Sequence, residues 1–217
     1  MTQFCQDIAI LTLEPVVYLD PGDVCRSLIS GTSATLSGTT LNVSGADFVG
    51  AGVTSGMVVC TWSDAAPEGD AWEIVSVDSE SQLTVSVLRA SSEDDPIAPP
   101  AGANLNFAVR TLAPTIADIS VTLAERMRWA SETAGIESVD FADSSQLSST
   151  AACGVLSAVF VARAAVASGS DPNWVKAEHY RARYQSMQLQ LRLAVDADGD
   201  GVAESTRTLG NVTLRRR

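Results

Sequence analysis

The sequence predicts an α+β chain: a helical bundle of about three helices with an inserted small antiparallel β domain, a sandwich or a barrel, and a C-terminal β-hairpin. Three observations carry that expectation. Residues 31–112 are rich in Gly, Ser, Thr and Val and break into short apolar runs separated by turn residues. Residues 113–191 repeat apolar side chains at three- and four-residue spacing. Residues 192–217 hold two strand-like runs around Asp196-Ala197-Asp198-Gly199-Asp200-Gly201. Residues 1–30 form a further N-terminal segment. A short helix is expected there ahead of Glu14-Pro15, because the residue before a proline disfavours helical backbone.

Within the β segment, Thr39 to Val43 alternates with a period near two, as a half-buried strand does. Met57 to Trp62 is more continuously apolar. Trp72 to Val77 and Leu83 to Leu88 are separated by the polar insert Asp78 to Gln82. Asn104 to Leu112 places Leu105, Phe107 and Val109 on one face. Short strands at this spacing suit a small sandwich or barrel. Ser63 to Asp70 and the proline-bearing Ala90 to Ala103 read as loops.

In the helical segment, Pro114 suits a first helical turn. Ile116, Ile119, Leu123, Met127 and Ala130 then share a stripe, and Gly135 is a stop signal. Leu147 to Ser168 is apolar nearly all round and should be the most buried helix. Its apolar stretch Cys153 to Ala167 includes Arg163 and reads as too short for a bilayer. Gly169-Ser170-Asp171-Pro172 combines a C-cap glycine, an N-cap aspartate and a first-turn proline. Ala177, Tyr180, Tyr184, Met187 and Leu191 line the helix that follows.

Charge is low in density and uneven in place. Of the 217 residues 18% are charged and 46% hydrophobic, with a net charge of −12. Residues 1–115 carry three basic and fourteen acidic side chains, a net −11, so the remainder carries −1. Binding to a nucleic-acid outer surface is disfavoured, because phosphate neutralisation needs clustered Lys and Arg. Cys5, Cys25, Cys60 and Cys153 have no CxxC spacing and read as reduced, buried thiols of a cytoplasmically assembled protein. The N-terminus lacks a basic n-region, so a soluble chain without a signal peptide is expected.

Chemistry-bearing motifs are few. Asp196, Asp198 and Asp200 at alternate positions, with Gly201 after them, match the first half of a calcium loop. The twelfth position of that loop is Arg207 where a bidentate Glu would stand. A metal-free tight hairpin, which Asp-Gly also specifies, is the other reading. His179 is the only histidine, and Cys153 lies in an apolar run. The sequence has no P-loop, no GxGxxG after a strand and no GxSxG elbow. No catalytic residues are assigned, and a non-enzyme is expected. Tyr180-Arg181-Ala182-Arg183-Tyr184 interleaves aromatics with cations. Its tyrosines fit the core stripe, which leaves the arginines to solvent or an interface.

Several stretches together resemble proteins of the tailed-bacteriophage head–tail connector (adaptor) family. They are Leu11-Thr12-Leu13-Glu14-Pro15, Ser37 to Phe48, Gly52 to Val58, Trp174 to Tyr184 and Asp196 to Gly201. The resemblance implies a helical body and a homo-oligomeric, dodecameric ring beneath the portal protein, assembled in the host cytoplasm into the virion neck. Tail-side neck or tail-completion proteins would dock on it, and DNA would pass through without specific binding. No membrane and no cofactor other than a candidate calcium ion would be involved. The run Arg215, Arg216, Arg217 would be a portal-contacting arm. An acidic channel lining would lower friction by repelling phosphates. The alternatives are another virion subunit (tail, fibre or head decoration) and a calcium-dependent binding module.

Overall fold

The computed structural model describes residues 3–20, 24–134, 138–141, 144–165, 169–196 and 205–208. The chain divides into two compact units, Gln6–Ala113 and Met1–Cys5 with Pro114–Arg217.

The first unit opens with two short helices, α1 (Asp7–Leu13) and α2 (Val16–Leu19), on either side of Glu14-Pro15. Six strands follow: β1 (Arg26–Ser37), β2 (Thr40–Asn42), β3 (Val58–Ser63), β4 (Ala66–Ser79), β5 (Gln82–Ser86) and β6 (Gly102–Thr111). They close into a barrel in the order β1-β2-β5-β4-β3-β6, every pairing antiparallel. Closure through β1 and β6, from Arg26↔Thr111 to Leu36↔Gly102, leaves the sheet without an open edge. Leu36, Leu41, Ile74, Leu83, Val85 and Val109 fill the interior. The connection between β2 and β3 folds Phe48 and Val53 into that core. Phe48 meets Phe107 edge to face, with ring centroids 5.9 Å apart. Its backbone is held by Phe48 N–H donating to the Glu80 carbonyl at 2.8 Å.

The second unit contains α3 (Ala113–Ala134, from Pro114 onward), α4 (Ser144–Arg163) and α5 (Pro172–Gln190). A three-stranded antiparallel sheet accompanies them, in the order β7 (Ser138–Phe141), β8 (Arg192–Asp196), β9 (Ser205–Thr208). Helices α4 and α5 pack side by side: Phe160 stacks on Tyr180 at 5.9 Å, and Ser157 Oγ donates to the Ala177 carbonyl at 3.3 Å. Asp171 caps α5, accepting from the N–H groups of Asn173 and Trp174 at 2.8 and 3.3 Å.

The fold class expected from sequence, a helical bundle carrying a small β insert, is corrected. Among the described residues the chain has a closed six-stranded barrel, a three-stranded sheet and five helices, and most of the core is sheet. The physical reason lies in β1. Its pairing shifts between Ser27 and Ile29, between Gly31 and Ala34 and between Ala34 and Leu36. Ser33 sits there at φ 63°. Such bulges erase the period-two pattern by which a strand is recognised. The expected loop 63–70 is also strand from Ala66. The expected C-terminal hairpin is two strands of a three-stranded sheet completed by β7. The apolar stretch judged too short for a bilayer extends back to Ser145. Ser145–Arg163 is 19 residues at mean hydropathy 1.4, long and apolar enough to cross a membrane by length and composition, and 61% of it is buried inside the protein.

Candidate functional site

Two places in the barrel unit combine concavity with polar side chains. One is the barrel end walled by the β3–β4 hairpin and residues 100–105, a groove of about 250 Å³. Trp72, 9% exposed, lines it, and its Nε1–H donates to Thr61 Oγ1 at 2.8 Å, fixing the indole. Glu68, Asp70 and Trp72 of β4 all line the groove, and the β3–β4 register shifts between Asp70 and Ala66. Glu68 and Asp70 are exposed. Gly69 between them has φ +59°, and a Cβ there would lie 2.6 Å from the Thr61 carbonyl oxygen. Glycine alone permits that close approach of β4 to β3. Pro100, Gly102 and Leu105 form the opposite wall.

The other place is a cleft of about 360 Å³ between α1, Ser55-Gly56, β4 and residues 89–92. Glu73 and Arg89 line it as an ion pair whose side chains are 7% and 5% exposed. Arg89 Nη2 meets Glu73 Oε1 at 2.5 Å and Nε meets Oε2 at 3.1 Å. Nη1 donates to the carbonyls of Ser92, at 2.9 Å, and Asp94. The Glu73 hydrogen bonds raise the Arg89 pKa further. Both charged groups are thus used in holding residues 89–94 against β4.

Asp7 is a buried carboxylate that sequence reasoning missed. It is 4% exposed and accepts from Tyr18 Oη at 2.8 Å, Thr111 Oγ1 at 2.6 Å and Leu112 N–H at 2.7 Å. Burial pushes its pKa up against the pull of those hydrogen bonds. Its only sequence signal was an acidic residue heading an apolar helix, which is also an ordinary surface pattern.

Of the residues singled out from sequence, Asp196 is the last residue of β8, in register with Ser138 of β7. Asp198, Asp200, Arg215, Arg216 and Arg217 lie outside the described residues. Among the described residues β8 and β9 pair from Arg192↔Thr208 to Val195↔Ser205. Among the described residues no group of three His, Cys, Asp or Glu is placed to hold a metal ion. All four cysteines are buried thiols, with no disulfide among them. Burial pushes the Cys60 thiol up to about 11. Cys153 Sγ lies 3.9 Å from Met187 Sδ. His179 is exposed and meets Tyr180 edge to face at 5.2 Å. Arg181 pairs with Glu178 at 2.8 Å and lies 5.8 Å from the Trp174 ring centroid, while Arg183 is exposed.

No family model, no curated protein and no solved structure matches this chain.

Beyond the two concavities, α4 has an uncovered apolar flank. Ala158, Val161 and Ala162 are exposed at i, i+3 and i+4, with Val161 37% exposed. Lys176 Nζ lies 4.9 Å from the Phe160 ring centroid on the neighbouring helix.

Proposed function

We propose that this chain is a structural virion protein, a head–tail connector that works by assembling into a ring between portal and tail. The observation that carries the reading is α4. Its 19-residue apolar stretch is 61% buried within one copy, and Ala158, Val161 and Ala162 are left exposed on one flank. Such a flank suits repeated heterologous contacts between identical copies, because small side chains let a neighbouring element approach closely. Supporting it, the ionised side chains lining the cleft, Glu73 and Arg89, are engaged with each other rather than turned toward a ligand. The net −11 of residues 1–115 suits a surface past which DNA slides without being gripped.

The test is electron microscopy of the purified protein and of virions labelled with antibody to this chain. Rings in solution and label at the head–tail junction are expected. Absence of the chain from virions ends the reading. Label on the capsid shell or the distal tail assigns it instead to decoration, tail or fibre.

A further inference from the structure

We propose that the groove at the Trp72 end of the barrel is the docking site for Val212–Arg217 of a second copy of this chain. The proposal rests on the assembly reading above and names one contact within it.

The groove side of the argument is geometric. Trp72, Pro100 and Leu105 supply apolar wall, and the Trp72 indole is held by its bond to Thr61. Glu68 and Asp70, both exposed, line the same groove. Among the described residues no cation is paired with either carboxylate. The barrel unit has three cations in all. Arg89 is bound to Glu73; Arg110 donates to the Tyr18 and Leu19 carbonyls and lies 5.7 Å from the Trp62 ring centroid. Arg26 pairs with Thr111, at the end of β6 opposite to Gly102 in the groove wall. The groove is lined by apolar and acidic side chains and set in a unit of net charge −11.

The occupant is identified by complementary chemistry. Val212-Thr213-Leu214-Arg215-Arg216-Arg217 joins two alternate apolar residues to the only three adjacent cations in the sequence. Guanidinium groups bind carboxylates bidentately, and the groove carries two exposed carboxylates, Glu68 and Asp70. Residues 209–217 come after β9 in the sequence, and nine residues fully extended would span up to about 30 Å. A contact from one copy's arm to the next copy's groove is heterologous and propagates around a ring. The basic arm is thereby assigned to a neighbouring copy rather than to the portal.

The experiment uses the full chain in three forms: wild type, an arm variant (Arg215→Ser, Arg216→Ser, Arg217→Ser) and a groove variant (Glu68→Gln, Asp70→Asn). All the substituted groove positions are exposed, and thermal melts check that each variant folds. A synthetic peptide of residues 209–217 is titrated into the arm variant, followed by tryptophan fluorescence. Saturable binding is expected, weakened about tenfold or more by adding the groove substitutions and by raising salt from about 50 to 500 mM. Sedimentation should find both variants less associated than wild type, and an equimolar mixture of the two should regain heterodimers, because one arm–groove pair survives. No peptide binding, or binding indifferent to Glu68→Gln and Asp70→Asn, overturns the proposal. Peptide binding without recovery in the mixture places the arm in its own copy's groove and overturns it as well. Rings that form undiminished in both variants sink this contact and leave the assembly reading standing. A wild type that never exceeds a monomer sinks both.

Discussion

Thr111 Oγ1 donates a 2.6 Å hydrogen bond to Asp7 Oδ2, joining residues 104 positions apart at the two ends of the barrel unit. Asp7 Oδ1 accepts from Tyr18 Oη and Leu112 N–H. One buried carboxylate therefore ties α1, α2 and the end of β6 together where the chain enters and leaves the barrel. No cation shares the site among these partners, so the carboxylate is held by neutral donors alone.

Asp7→Ala is expected to destabilise the barrel unit by about 2–4 kcal/mol, since three buried donors lose their acceptor. Asp7→Asn keeps an acceptor oxygen and should cost about 1 kcal/mol. The pH dependence has a definite sign. Burial raises the folded pKa of Asp7 above its unfolded value. The folded state therefore holds the proton more tightly, and the ionised group costs stability above the folded pKa. As pH falls through the folded pKa toward the unfolded one, wild type gains on Asp7→Asn, and below the unfolded pKa the difference is constant. Urea unfolding of both proteins from pH 7 down to pH 4 measures it; a difference that shrinks in the opposite sense refutes the assignment.

The four thiols are expected to be silent in the native protein. Cys5, Cys25, Cys60 and Cys153 are all buried, and the Cys60 thiol is pushed up to about 11 by desolvation. Thiolate is the reactive form, so a disulfide reagent at pH 8 should label none of them quickly. Full labelling should follow the unfolding transition in urea. Fast stoichiometric labelling of Cys60 in native buffer would contradict its burial beneath α2, where Sγ lies 3.4 Å from the Tyr18 carbonyl oxygen.

Legibility followed the regularity of the local pattern. Asp171 caps α5 with Pro172 in its first turn, as Gly169-Ser170-Asp171-Pro172 announces. Apolar alternation around Phe107 and Val109 marks β6. The bulged, Ser- and Gly-rich β1 carries no such pattern, and barrel closure depends on it. In the hairpin from Ser63 to Asp70, Pro67 and Gly69 signal a loop locally, yet pairing with β3 wins through Ser63↔Ala66 and Thr61↔Asp70. Sites were less legible than strands. The Asp7 node and the Glu73–Arg89 pair join residues far apart in sequence, and a single chain offers no local sign of such pairings.

Gly154 sits where α4 packs tightly against α3 and α5. A Cβ there would lie 2.9 Å from Tyr184 Cε2 and 3.0 Å from Ile119 Cγ2. Alanine gains about 1 kcal/mol of helix propensity and meets an overpacking cost of about 1–3 kcal/mol. Gly154→Ala should therefore lie between neutral and mildly destabilising, and Gly154→Leu should lower the melting temperature steeply. A Gly154→Leu protein as stable as wild type would refute the α3–α4–α5 packing.

Removal of one partner of the Glu73–Arg89 pair leaves the other charge buried, because the two side chains are only 7% and 5% exposed. Arg89→Met or Glu73→Leu alone is expected to cost about 3–5 kcal/mol. The double substitution removes both charges and both desolvation costs, so it should cost well under the sum of the singles. Loop order separates this pair from a merely electrostatic one. Arg89 also holds the Ser92 and Asp94 carbonyls, so residues 89–94 lose their tether in any variant lacking the guanidinium. Limited proteolysis should then cut within 89–95 faster in Arg89→Met and in the double variant than in wild type. Glu73→Leu keeps those carbonyl bonds and should be cut there more slowly than Arg89→Met. Equal cutting in all four proteins would assign the ordering of the loop to the Val87–Ile97 backbone pairing instead, where the two groups meet at 3.0 Å.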